Sequence, residues 1–171
     1  AGDKGAFGKL VEAYQTPVYN LTYRMLGHSE EAEEAAQEVF LRAYTRLDRY
    51  DPSFRFSTWI LSIASHYCID VIRKRRLTWL SLDEPMPADT IPYLASSNPQ
   101  PESSVLDGET QAQVQALLAT LEPDYRAAVV LRYWYDMSYD EIAVAMKTTV
   151  SAIKSRLFRA RRLLAMAAQS A

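Results

Sequence analysis

Thiols and imidazoles are scarce in this chain: among 171 residues there is one cysteine, Cys68, and there are two histidines, His28 and His66. A lone cysteine excludes an intrachain disulfide framework, and no Cys/His set has zinc-ligand spacing, so no metal and no cofactor are expected. No apolar run reaches the ~18 residues that a membrane span needs, and the N-terminus carries no signal-peptide pattern. The expectation is a cytoplasmic protein with no direct membrane insertion. Sustained alternation of polar and apolar residues is missing as well, which excludes a convincing strand and leaves an all-α chain. Net charge is also small, -2, which argues against a protein that coats nucleic acid by bulk attraction.

The charges that are present are segregated. Five glutamates and no base fall between Glu30 and Glu38. Arg73, Lys74, Arg75 and Arg76 form a basic cluster, and six Lys/Arg with no acid follow Ile142. One acidic and two basic surfaces point to two kinds of partner.

Two small helical domains fit the organisation. Residues 1–78 hold three helical stretches, interrupted at "LGHSEE" and "YDPSFRFST", where Ser29 and Ser57 are the expected N-caps. Pro17 is expected to kink or divide the first stretch. Residues 79–104 contain Pro85, Pro87, Pro92, Pro99 and Pro101 in a Ser-containing segment and read as an extended linker. Residues 105–171 form a second helical block, with Pro123 in the first turn of a helix.

Within that block, "SYDEIAVAM" is a short amphipathic helix with Ser138 as cap and Glu141 at the capping-box position, and "KTTV" turns into "TVSAIKSRLFRARR". This is a helix-turn-helix pattern, although its turn lacks glycine. At about 100° per residue, Val150, Ile153, Leu157, Ala160 and Leu164 share the buried stripe. Ser151, Ser155, Phe158, Arg159 and Arg162 lie opposite, flanked by Lys154 and Arg161 on one side and Arg156 on the other. A basic helix is often only a solvated face. Following a capped helix and a tight turn, it is expected to lie in a major groove, its first turns at base edges and its cations near phosphates.

The run "FSTWILSIASHYCIDVIRKRR" projects in the same way. Ile60, Leu61, Ala64, Cys68, Val71 and Ile72 make the apolar face, while Trp59, Ser62, His66, Asp70 and Arg73 are displayed on the other. Aromatic stacking beside backbone cations is how single-stranded nucleic acid is held. Packing of Trp59 against a neighbouring helix explains the pattern equally well. His66, Cys68 and Asp70 diverge around a helix, which favours a structural Cys68 over a metal ligand, and His28 reads as a solvated loop residue.

Taken together, "AEEAAQEVFLRAY", "FSTWILSIASHYCIDVIRKRR" and "LEPDYRAAVVLRYWYDMSYDEIAVAM…SAIKSRLFRARRLL" resemble, in order, the core-binding, -10 and -35 segments of the extracytoplasmic-function, or group IV, sigma factors of bacterial RNA polymerase. The resemblance implies that Glu34, Gln37, Glu38, Phe40 and Leu41 meet the β′ clamp helices, with the β flap as a further contact on core polymerase. It implies that the loop Asp51 to Phe56 pockets a flipped -10 base, and that Arg55, Phe56, Ser57, Thr58, Trp59, Ser62, His66, Arg73 and Lys74 line the opened strand. It also implies that Ser151, Lys154, Ser155, Phe158, Arg159 and Arg162 read the -35 duplex. Ser65 and His66 stand where the family often carries Arg-Asn, and Ala152 where Thr is usual, which implies one anchoring contact fewer. A cognate anti-sigma factor is implied as a regulator.

Three rivals fit less of the chain. A stand-alone helix-turn-helix regulator explains the second block but not the first. A di-metal helical enzyme lacks any Glu-x-x-His pair, so no catalytic residue is assigned. A structural adaptor accounts for the acid but not for two displayed aromatics.

Overall fold

Asp3 begins the first helix, its carboxylate accepting the Gly5 N–H at 2.9 Å, and Gly27 ends it. At φ 83° Gly27 takes the left-handed backbone that only glycine adopts cheaply, and its N–H closes on the Tyr23 carbonyl at 2.8 Å. The computed structural model describes residues 3–81 and 105–170. The expected linker and its five prolines fall almost wholly outside them.

Among the described residues every regular element is helical. α1 is Lys4–Leu26, α2 Ser29–Thr45, α3 Phe56–Ser81, α4 Val105–Ala119, α5 Pro123–Tyr133, α6 Tyr139–Ala145 and α7 Val150–Gln169. Val18, Leu21, Met25 and Leu26 of α1 pack toward Ala35, Ala36, Val39 and Ala43 of α2. The alanines let the two backbones approach closely, and the buried Thr22 hydroxyl donates to the Ala32 carbonyl at 2.8 Å. α3 closes this first bundle with Ile60, Leu61, Ala64, Cys68, Ile69 and Ile72. In the second bundle Leu118, Leu121, Val130, Leu131, Ile142, Ile153 and Leu157 are buried together.

Local expectations met three exceptions. Pro17 sits inside α1 and does not divide it. Ser29 is the first residue of α2 and His28 holds the cap position without a side-chain bond. Ser57 is the second residue of α3. The other signals act as read. Pro123 is the first residue of α5, and Ser138 with Glu141 makes a complete capping box on α6.

The two bundles lie against each other, joined in one continuous apolar cluster. The last turns of α1 and the outer face of α3 meet α4, α5 and α6. The expected extended linker suggested a looser tether. Side chains from the second bundle instead terminate α1: Gln115 donates to the Tyr23 and Arg24 carbonyls at 3.2 and 2.9 Å, and Arg126 to Met25 at 2.5 Å. The Arg24 and Met25 carbonyls are among those that a helix C-terminus otherwise leaves without a partner, while the Tyr23 carbonyl also accepts the Gly27 N–H.

Candidate nucleic-acid and polymerase interfaces

The helix-turn-helix is built from α6 and α7. Lys147 takes φ 51° in the turn, which gives the backbone path that glycine often provides, at some strain. Thr149 caps α7, its hydroxyl accepting from the Ala152 N–H at 3.1 Å. Ile153, Leu157 and Ala160 are buried as the stripe requires, whereas Ser151, Lys154, Ser155, Arg159 and Arg162 are exposed and Phe158 keeps 55% of its surface in solvent. The Arg162 guanidinium lies 5.9 Å from the Phe158 ring centre. Arg159 reaches the Tyr125 hydroxyl at 3.5 Å, and that contact raises its pKa.

The candidate single-strand site combines a loop with the start of α3. The Asp51 carboxylate accepts the Ser53 N–H at 2.9 Å, which folds the loop into a tight turn and holds this carboxyl below its usual pKa. The Tyr50 hydroxyl donates to the Phe54 carbonyl at 2.8 Å. Behind the loop, Tyr50, Phe56 and Trp59 have ring centres 5.3 to 5.5 Å apart, and Tyr14 adds a fourth ring 5.1 Å from Phe56. Trp59 is thus half-buried in an aromatic wall and not freely displayed, because the chain entering α3 folds Tyr50 back over it. Arg55 and Phe54 are exposed at the rim, Ser57 is half-buried and Thr58 is in the core.

Further along α3 several of the displayed side chains have partners in the second bundle, while Asp70, Arg73 and Lys74 remain exposed. The Ser62 hydroxyl donates to the Ala145 carbonyl at 2.5 Å, and His66 Nδ1–H returns to the Ser62 carbonyl at 2.8 Å. Arg73 pairs with Asp124 at 2.8 Å and Arg76 with Glu122 at 2.7 Å. Lys74 is exposed, and Ser65, at the position where the sequence departs from its relatives' pattern, is wholly buried. Burial, with Arg76 nearby, lowers Arg126 to about 10, and burial raises the Cys68 thiol to about 12.

The acidic surface lies on α2. Glu34, Gln37 and Leu41 are exposed, Leu41 to 57%, and Phe40 and Glu38 are half-buried. Arg42 fixes Glu38 at 2.7 Å, and Gln37 and Phe40 border a groove shared with Val11 and Tyr19 of α1.

The sequence reading passed over Tyr14 and Tyr50 as walls of the aromatic site, although the density of rings from Tyr50 to Trp59 was a usable signal. It also passed over Gln115, Glu122, Asp124 and Arg126. These act across sequence separations that periodicity does not register.

Sigma-70 region 2 matches residues 10–78, and Sigma-70, region 4 matches residues 111–164. The chain is 34% identical to the ECF RNA polymerase sigma factor SigW of Bacillus subtilis (strain 168) over 166 residues, covering 95% of this chain and 89% of SigW. The chain belongs to the ECF sigma factor family. It is also 33% identical to the ECF RNA polymerase sigma factor SigE of Mycolicibacterium smegmatis, over 95% of this chain and 63% of that longer relative. The fold is shared with the sigma factor RpoE solved in complex with the anti-sigma factor NepR from Bartonella quintana, with a TM-score of 0.73 at 21% identity over 93% of this chain and 94% of that one. The bundle α1–α3 is accordingly a region 2 bundle, and α4–α7 carry the region 4 helix-turn-helix. No described helix is long and apolar enough to cross a membrane.

Proposed function

We propose that this sigma factor binds core RNA polymerase through the acidic α2 face, reads a -35 duplex with α7, and captures an opened -10 strand at the loop and outer face of α3. Residues 1–78 and 105–171 act as the two functional units and residues 79–104 as their connector, in a cytoplasmic setting. The observation that carries the reading is the α7 surface, where a half-exposed Phe158 stands among Lys154, Ser155 and Arg159 on an otherwise regular, doubly capped helix-turn-helix. Phe158 can contact a thymine methyl and the cations can donate to guanine or phosphate, contacts that carry about 1–3 kcal/mol each for a well-made base pair.

At the -10 element the chemistry is binding, not catalysis. Flipping a base from duplex costs a few kcal/mol, and stacking it on an aromatic side chain returns about 1–3 kcal/mol. The loop 51–55 and the Trp59 wall supply such a platform, with Arg55, Arg73 and Lys74 as phosphate partners and Ser57, Ser62 and His66 along the path. Thr58, being buried, shapes the wall and does not touch the strand. Each basic surface is small, so promoter affinity comes from linking the two through core polymerase. The solved relative bound to NepR supports an anti-sigma partner for this chain as well. A stand-alone regulator is disfavoured, because a region 2 match over residues 10–78 leaves the first block without a sensor or dimerisation role.

The test is transcription by core polymerase on fragmented genomic DNA, with core alone as control. Focused start sites that share -35 and -10 elements are expected. Random initiation, together with tight binding of the free protein to duplex sites, overturns the proposal.

A further inference from the structure

Phe54 is the one aromatic residue of the loop 51–55, and the aromatic wall behind the loop does not use it. Tyr50, Phe56 and Trp59 engage one another at 5.3 to 5.5 Å between ring centres, whereas no ring among the described residues lies against Phe54. It stands outside the apolar cluster and keeps 45% of its surface in solvent. Such exposure is unfavourable in proportion to the apolar area left in water, so a partner that covers the ring gains that area.

The backbone beneath the ring is fixed. The Phe54 carbonyl accepts from the Tyr50 hydroxyl at 2.8 Å, its N–H donates to the Asp51 carbonyl at 3.1 Å, and the Asp51 carboxylate accepts the Ser53 N–H at 2.9 Å. Three hydrogen bonds between residues 50 and 54 set the direction in which the exposed side chain leaves the loop. Arg55 follows it, with its side chain 81% exposed and only loosely paired with Glu141 at 3.9 Å. A held ring beside an open guanidinium matches one nucleotide, the base on the ring and the phosphate on the cation. The neighbours Ser53 and Arg55 are polar and exposed, so the free apolar area in the loop is that of a single ring, the size of a base and small for a protein contact.

We infer that Phe54 is the ring on which a base of the opened -10 strand stacks, that Trp59 belongs to the wall supporting the loop, and that Tyr50 is the positioning residue for Phe54. This rests on the reading of the loop and α3 as the -10 site. Because every base has a face to stack, Phe54 contributes strand affinity, and the choice of base falls to polar groups along the path.

The test uses holoenzyme, the full chain on core polymerase, with single-stranded oligonucleotides carrying the -10 element shared by its mapped start sites. Phe54→Leu keeps apolar bulk and removes the ring. It should weaken strand binding by about fivefold to 150-fold, the range for one base–aromatic stack, with the urea midpoint and core affinity unchanged. Phe54→Tyr should bind as wild type does. Tyr50→Phe keeps the wall and removes only the hydroxyl; it should lose about twofold to tenfold, and nothing further when combined with Phe54→Leu. An abasic nucleotide moved along the strand should cost wild type most at one position and cost Phe54→Leu little there. Unchanged strand binding in Phe54→Leu, or an abasic penalty equal in both proteins, overturns the inference. A loss of core affinity in Phe54→Leu makes the ring a polymerase contact and overturns it as well. Absence of shared start sites, or wild-type holoenzyme that binds the strand no better than core alone, instead refutes the -10 reading on which the inference rests.

Discussion

Neighbouring residues on α7 should separate stability from recognition. Leu157 is fully buried and Phe158 is 55% exposed, so truncating each to alanine removes a large apolar side chain from opposite environments. Leu157→Ala leaves a cavity in the region 4 core and should cost about 2–5 kcal/mol, a large share of the marginal stability of a small domain. Phe158→Ala gives up only a solvent-facing ring and an exposed cation–π contact with Arg162, worth about 0.5–1 kcal/mol. Its effect belongs in promoter binding: losing one base contact of about 1–3 kcal/mol weakens specific binding by roughly fivefold to 150-fold. Urea unfolding gives the first quantity. The second comes from holoenzyme binding to a -35-containing duplex, with a scrambled -35 duplex as reference. Leu157→Ala should shift the urea midpoint strongly and lose promoter binding only to the extent that region 4 unfolds. Phe158→Ala should keep the midpoint nearly fixed and lose discrimination between the two duplexes. If Phe158→Ala destabilises as much as Leu157→Ala, or discriminates as well as wild type, the assignment of the reading face is refuted.

Three further outcomes follow from individual sites. Ser138→Ala deletes half of the α6 capping box and should cost about 1 kcal/mol, read as a lower urea midpoint, while Ser138→Asp should retain most of it. Leu41→Asp, at an exposed α2 position, should weaken core polymerase binding by about tenfold or more without moving the urea midpoint, so a folding defect in this variant argues against α2 as a docking face. Burial holds the Cys68 thiol near pKa about 12, against an ordinary value of 9.0. Between those values the unfolded chain loses its proton first, so the thiol's contribution is intact below pH 9 and declines as pH rises toward 12. The urea-midpoint difference between wild type and Cys68→Ala should therefore shrink from pH 9 upward, and a constant difference counts against the buried, protonated thiol.

Much of the recognition chemistry is local and was therefore visible in the order of residues. The α7 stripe of Ile153, Leu157 and Ala160, the outward Phe158, the Ser138–Glu141 box and the start of α5 at Pro123 all depend on contacts within one or two helical turns, which the 3.6-residue period reports directly. The exposed α2 face belongs with them, since alanines and Val39 mark its buried side. Where local signals left two readings open, a longer-range contact decided. Trp59, for which display and packing were equally good readings, is half-buried against Tyr50 from outside its helix.

The placement of one bundle on the other belongs to tertiary structure alone. Arg73 meets Asp124 across 51 positions and Arg126 meets Met25 across 101, and no periodicity links residues so far apart. The Arg24 and Met25 carbonyls ending α1 and the cations on α3 find partners in region 4. The sequence by itself determined two helical blocks, the Ser138 cap and the Pro123 start, and the composition of each working face. Only the folded chain decided which of those side chains meet a partner in the other bundle, because such pairing depends on charge and hydrogen-bond complementarity between surfaces that the linear order keeps apart.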